Sequence, residues 1–437
     1  HNQTPFIYYK KHLQGIFMSQ ILKAETPAYS GDLTISVTSS LGFIPIDNAT
    51  ITISYSAAPD SVVETLTTND SGLTDTISLP APNLSYSTEI SDVQPYSEYN
   101  ISVTAPGYEP VFISGTEILP DVTAIQPVTM NPVEVEPPGE AEENIIIPDH
   151  TLYGEYPPKI PEDEIKPMDE SGEIVLSRVV IPEYVIVHDG LPQDSSAPNY
   201  YVRYTDYIKN VVSSEIYATW PENSIYANTL AIMSFTLNRV YTEWYRNQGY
   251  NFTITSSTAY DQKWIHGRNI YQNISRIVDS IFSNYLSRPG VRQPIFTSYC
   301  DGNRVTCNGL SQWGSKYLGD QGYTPIEIIR YYYGNDMYIN STSYISGVPS
   351  SWPGYDLTIG SSGQKVLQMQ QQLNRIAQNY PAIPRINEDG IFGTATANAV
   401  RTFQRVFGLA PTGIVDYPTW YKISEIFVGV TRISEPG

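Results

Sequence analysis

The chain has 437 residues with 33 prolines unevenly spread, too long for one ordinary core, and the expectation is three domains joined by stiff linkers. Its formal net charge of −20 excludes the basic footprint that nucleic acid or anionic lipid requires, so the expected partners include no nucleic acid and no membrane, and no apolar run is long enough to span a bilayer. Charged residues make up only 16% while tyrosine alone supplies 35, a surface that hydrogen-bonds and stacks, as suits saccharides and equally plain extracellular domains.

In chain order, residues 1–30 form a tail. Its stretch from Tyr8 to Ala28 is a poor signal peptide, because Gln14, Gln20 and Lys23 interrupt the apolar region. Residues 31–133 read as short alternating strands: LTISVT from Leu33, ATITISY from Ala49, DTISL from Asp75, YNISV from Tyr99 and VFIS from Val111. Turn signals at Asn69-Asp70-Ser71-Gly72 and Pro106-Gly107-Tyr108 separate them, as in a β-sandwich. This module resembles the carboxypeptidase-regulatory-like β-sandwich, and it has neither histidine nor clustered acids, so it is expected to be non-catalytic.

Residues 134–190 alternate proline and acid and are expected to be an extended linker, unable to fold alone. The later part, from Ile174, is apolar enough to pack on the next domain as a strand. Residues 191–347 mix helical patterns with short strands, an α+β domain. A helix is predicted from Ile225 to Tyr245, a strand at NFTITSS, a second helix from Ile270 to Tyr285, and an extended IFTSYC from Ile295.

Residues 348–432 predict three helices. Val366, Met369, Leu373 and Ile376 face inward on the first, and a Gly-rich turn, Asp389-Gly390-Ile391-Phe392-Gly393, precedes the second. With Phe403-Gln404, Thr412-Gly413, Val415-Asp416 and Thr419-Trp420, this region resembles the peptidoglycan-binding domain type 1. Asp389, Phe392 and Gln404 are its candidates for contact with cell-wall saccharide or peptide.

Three separated blocks carry the chemistry of the central domain. The first, YIKNVVSSEIYATWP, holds a lone carboxylate, Glu215, at the end of a helical pattern, with Trp220 and Pro221 after it. The second is Asp261-Gln262 before Trp264 and Gly267, and the third begins at Gly309 with GLSQWG. Together they resemble the stage II sporulation protein D family. That resemblance implies cleavage of peptidoglycan glycan strands with Glu215 as the catalytic acid, and substrate contacts from Gln262, Ser311 and Gln312.

Trp220 and Trp313 are sugar platforms or core, and Ser311 is a contact or a helix cap. Asp261 is the candidate second acid if water is the nucleophile. Cys300 and Cys307 form either one local disulfide or two reduced thiols. His266 is a candidate supporting residue or a surface histidine, and His188 sits in an unrelated context.

Where the family often has histidine stands Thr306, an arginine position holds Met233, and a cysteine position holds Asp261. No metal and no cofactor are therefore expected. The whole arrangement resembles spore cortex-lytic enzymes. That likeness implies a lytic transglycosylase type of enzyme acting on cortex during germination, outside the cytoplasm in the spore cortex or coat region. It also implies a zymogen whose β-sandwich pro-domain is removed by a subtilisin-like protease, the cleavage falling in 134–190, with Ser177-Arg178-Val179 as one candidate. An amidase, or a non-catalytic wall-binding scaffold, is the alternative.

Overall fold

The computed structural model describes residues 29–133, 143–167 and 178–432, so residues 1–28 of the N-terminal tail and Ser177 of the candidate cleavage site lie outside the described residues. The first module is built on two sheets. In β1 (Ser30–Ser39), alternate side chains Leu33, Ile35 and Val37 are fully buried, the two-residue period of a strand with one face on a core. It pairs parallel with β7 (Thr123–Met130) and antiparallel with β4 (Ile77–Pro80). The second sheet runs β3 (Ala58–Thr67), β2 (Thr50–Tyr55), β5 (Ser97–Thr104), β6 (Val111–Ile118) and β8 (Glu143–Ile146).

The five strands predicted here are present, and the structure adds β3, β7 and β8. Strand β3 is an edge strand with almost every residue exposed or half-exposed, so it carries no alternating apolar signal.

The predicted free linker needs correction. Its described part is extended, but β8 adds a parallel strand to the first module, and residues 147–167 lie against the central domain. Further on, β9 (Tyr184–His188) forms the expected strand and pairs with β10 (Asn199–Arg203) and β11 (Ile254–Thr255).

The central domain is organised by α1 (Tyr204–Glu215), α2 (Glu222–Tyr241), α3 (Gln272–Ile281), α4 (Gln312–Asp320) and α5 (Pro325–Tyr333). Helix α2 is buried nearly all round, including Ala227, Leu230, Met233 and Phe235, and serves as the hub. Helix α3 is shorter than predicted because Ile270–Tyr271 forms β12, which pairs with β7 of the first module, Ile270 opposite Ile125. The NFTITSS strand shrinks to β11.

The predicted extended segment IFTSYC yields β14 (Tyr299–Cys300), parallel to β15 (Leu310–Ser311). Strands β13 (Asn284–Ser287) and β16 (Tyr338–Ser341) form a further ladder.

The first module grips the central domain through polar groups as well as β12. Arg268 and Glu117 form a salt bridge of 2.8 Å with side chains 0% and 1% exposed, and Asn269 exchanges two hydrogen bonds with the Glu117 backbone. The Trp220 indole N–H donates to the Ser87 carbonyl at 2.8 Å.

The C-terminal module has its three predicted helices, α6 (Gln364–Ile376), α7 (Thr394–Val406) and α8 (Tyr417–Arg432), around Leu373, Phe392, Phe403 and Trp420. Helix α8 docks on α3 through Lys422 and Asp279, 3.7 Å apart, and Tyr417 donates to Ser283 at 2.6 Å. Among the described residues, no helix is long and apolar enough to cross a membrane.

Candidate active site

Glu215 is the last residue of α1, and Ile216 leaves the helix in an extended conformation (φ −138°). A carboxylate at a helix C-terminus opposes the macrodipole and would ordinarily turn to water. Here it is fully buried and held by three donors instead. The Lys263 backbone N–H donates to Oε1 at 2.8 Å, the Tyr299 hydroxyl to the same oxygen at 3.1 Å, and the Gln312 amide to Oε2 at 3.1 Å. The three sequence blocks, far apart in the chain, thus converge on one acid.

Tyr299 and the Lys263 amide carry no signal in the sequence that marks them as partners of Glu215. A backbone donor has no residue signature, and Tyr299 had only its place beside Cys300 to mark it. Burial, together with the neighbouring Glu215, pushes the Tyr299 phenol up, so it stays a donor. Cys300 and Cys307 form the disulfide, Cα atoms 6.1 Å apart, closing the loop between Tyr299 and Gln312. The staple therefore ties together two of the three groups that hold Glu215.

Asp261 is placed as an anchor rather than a second acid. One oxygen accepts from Arg239 Nε at 2.7 Å, and the other accepts from the Tyr245 hydroxyl at 2.7 Å, the Thr255 N–H at 2.9 Å and the Thr255 hydroxyl at 2.7 Å. It is fully buried, with neither oxygen left for water. Its effect is to fix the loop that presents the Lys263 amide.

Gln262 is likewise spent in the core. Its oxygen accepts from Tyr207 and Thr236, and its nitrogen donates to the Ile232 carbonyl, which corrects the expectation of a substrate contact. Ser311 caps α4, accepting from Gly314 N–H at 2.9 Å.

Trp220 and Trp313 are 3% and 5% exposed with ring centres 5.0 Å apart, so neither offers a face to a sugar in this arrangement. In the C-terminal module Phe392 is core, and Gln404 holds a turn through Gly413, Thr412, Ile414 and Thr419, so both are structural. Asp389 is exposed.

His266 stacks on Tyr200 with ring centres 4.5 Å apart and lies 3.5 Å from Glu143, while His188 bonds Asn199 and the Leu191 carbonyl. Neither histidine contacts Glu215. Among the described residues no group of three or more His, Cys, Asp or Glu side chains is gathered as a metal site would require.

Residues 196–283 match the family model of the Stage II sporulation protein (SpoIID), and residues 362–423 match that of the putative peptidoglycan-binding domain. The domain architecture is SleC-like. The two domain matches support a cell-wall-acting sporulation protein with peptidoglycan as a partner, and they fit an extracytoplasmic, wall-associated location. The SpoIID match takes in Glu215, Asp261 and Gln262, while Gln312 lies beyond it.

A search of curated proteins returns no match. Among solved structures, the Bacillus anthracis TIE protein is similar at 16% identity over 24% of this chain and 17% of that one, with a TM-score of 0.18. An (S)-allantoin synthase structure is similar at 16% identity over 26% and 46%, also with a TM-score of 0.18. The chain therefore spans less than half the length of either, and these likenesses carry no argument about fold or activity.

Proposed function

We propose that this chain cleaves peptidoglycan glycan strands as a lytic transglycosylase acting on spore cortex during germination. The observation that carries the reading is the convergence of the three sequence blocks on Glu215, which among the described residues is the one acid at that point not consumed by a structural ion pair. Protonated Glu215 gives its proton to the glycosidic oxygen as the bond to C1 of the muramoyl sugar breaks. The same carboxylate then takes the proton of the C6 hydroxyl as that oxygen bonds to C1, closing an anhydro ring. Water is not consumed, so one acid suffices. Gln312 and Tyr299 orient the carboxyl group between the two proton transfers.

The first module, read as a β-sandwich pro-domain, would hold the chain as a zymogen until an activating subtilisin-like protease cuts in residues 134–190. The interface through Trp220, Arg268 and β12 supports that role.

Glu215→Gln is expected to abolish release of muropeptides from cortex peptidoglycan while leaving wall binding intact. Mass spectrometry of the wild-type products decides the class: anhydromuramic ends mean transglycosylation, reducing ends hydrolysis, and free stem peptides an amidase. Unchanged release by Glu215→Gln would sink the glycosidic mechanism.

A further inference from the structure

The segment that the sequence marks as a linker crosses the candidate active site. Between Thr151 and Lys166 it forms neither helix nor strand, and Pro157, Pro158 and Pro161 punctuate it. A polyproline-type chain has about three residues per turn and places every third side chain on one side. Tyr156, Lys159 and Glu162 follow that spacing, and all three turn toward the domain.

Each of the three meets the machinery around Glu215. The Tyr156 hydroxyl donates to Gln312 Oε1 at 3.3 Å, the same amide whose nitrogen reaches Glu215. Lys159 Nζ donates to the Asp261 carbonyl at 2.8 Å and lies 4.3 Å from the Tyr299 ring centre. The Ile160 N–H pairs with the Ala259 carbonyl at 2.8 Å. Glu162 grips Arg239 with both oxygens, at 2.8 and 2.6 Å, and Glu164 grips Arg288. Glu215 lies beneath this segment, fully buried, where no polymer can reach it.

The two arginines share a pattern. Arg239 gives its Nε to Asp261 of the domain and its two terminal nitrogens to Glu162 of the crossing segment. Arg288 gives Nη1 to Asp336 of the domain, and Nε and Nη2 to Glu164. Each guanidinium thus has one edge neutralised by the domain and one by the segment. In a chain of net charge −20, withdrawal of the segment would bare two cationic edges along the path it now occupies.

We propose that residues 151–166 are an intramolecular occupant of the substrate groove, and that Arg239 and Arg288 are subsites for the carboxylates of an extended, carboxylate-bearing glycan. The inference rests on the glycan-strand-cleaving reading above and adds where the strand lies and what releases the groove. The segment is tethered at its N-terminal end by the first module. Strand β8 pairs with β6, and the His150 N–H donates to the Tyr96 hydroxyl at 3.0 Å. Loss of the module removes both tethers, so the segment can peel away without itself being cut.

The test uses the full chain carrying Glu215→Gln, so that strands are bound but not cleaved. Tyr156→Ala, Lys159→Ala and Glu164→Ala are combined to unseat the segment. The probe is fluorescently labelled glycan strands stripped of stem peptides, which keep their lactyl carboxylates. Anisotropy is expected to show roughly tenfold tighter binding than to the seated chain, about 1.4 kcal/mol. Because both chains carry the C-terminal module, its own binding cancels. Arg288→Ala in the unseated chain should remove the gain, and neutral N-acetylglucosamine oligomers should show none.

Equal binding by the seated and unseated chains overturns the groove assignment. A gain that survives Arg288→Ala, or that extends to the neutral oligomers, overturns the cationic subsites.

If near-UV circular dichroism shows the triple variant unfolded, the reverse experiment decides. Ile160→Cys with Ala259→Cys ties the segment down, and after cleavage in residues 134–142 the tied chain should bind strands only once reductant is added. An untied chain given the same reductant controls for the native disulfide. Tied and untied chains binding alike without reductant would overturn the proposal. Strand binding by the unseated chain, with no fragment release when Glu215 is restored, would refute the catalytic reading and leave the groove standing.

Discussion

Asp261→Asn separates an anchor from a catalytic acid. The substitution keeps the shape of the side chain but replaces one acceptor oxygen with an N–H₂ donor. Whichever way the amide turns, that donor faces a group that can only donate: Arg239 Nε on one side, or the Thr255 backbone N–H on the other. The lost charge also leaves Arg239, 0% exposed, with Glu162 as its only remaining carboxylate among those bonded to it here. Breaking a buried pair from one side costs about 3–5 kcal/mol. For a domain of about 150–250 residues each kcal/mol lowers Tm by about 2–4 °C, so the expected fall is about 6–20 °C. Differential scanning calorimetry reads it, beside muropeptide release measured well below the transition. A variant with an unchanged Tm and no release would refute the anchor and return Asp261 to the chemistry as a second acid.

The disulfide and the half-buried Glu98 supply two more tests. Cys300 and Cys307 are seven positions apart, and closing so short a loop is worth about 2.5 kcal/mol in the chain-entropy account. Cys300→Ser with Cys307→Ser should lower Tm and also reduce release, since Tyr299 and Gln312 flank the loop; a normal release rate would show that the staple does not position them. Burial, with Glu117 and Asp149 nearby, pushes the Glu98 carboxyl up to about 7. Its folded pKa exceeds the unfolded one, so its stabilising contribution is complete below the unfolded value of about 4.3 and is lost as pH rises through about 7. Between about pH 5 and pH 8, Tm should therefore fall less in Glu98→Gln than in the parent. Parallel Tm curves would refute that assignment.

The sequence by itself determined the elements whose signal is local. Alternation in LTISVT and TITISY marks strands buried on one face, and the spacing of Val366, Met369, Leu373 and Ile376 marks a helix with one apolar stripe, because side-chain period follows directly from backbone geometry. Glu215 stands out in the sequence as a lone carboxylate inside a dense motif, and its role as the acid is what the family resemblance implies.

What only the tertiary structure decided is which polar groups meet. Asp261, Gln262 and Gln404 read as substrate contacts or chemistry, yet each is consumed by structural partners: Arg239 for Asp261, Tyr207 and Thr236 for Gln262, and the turn at 412–414 with Thr419 for Gln404. Burial makes an unpaired polar group costly, so its role depends on neighbours that no local pattern specifies. The acidic, proline-rich stretch shows the limit most clearly. Its composition argues against a core of its own, and residues 151–167, within its described part, contain neither helix nor strand. Its place across Glu215 depends on Gln312, Arg239 and Arg288, contributed by the domain it covers.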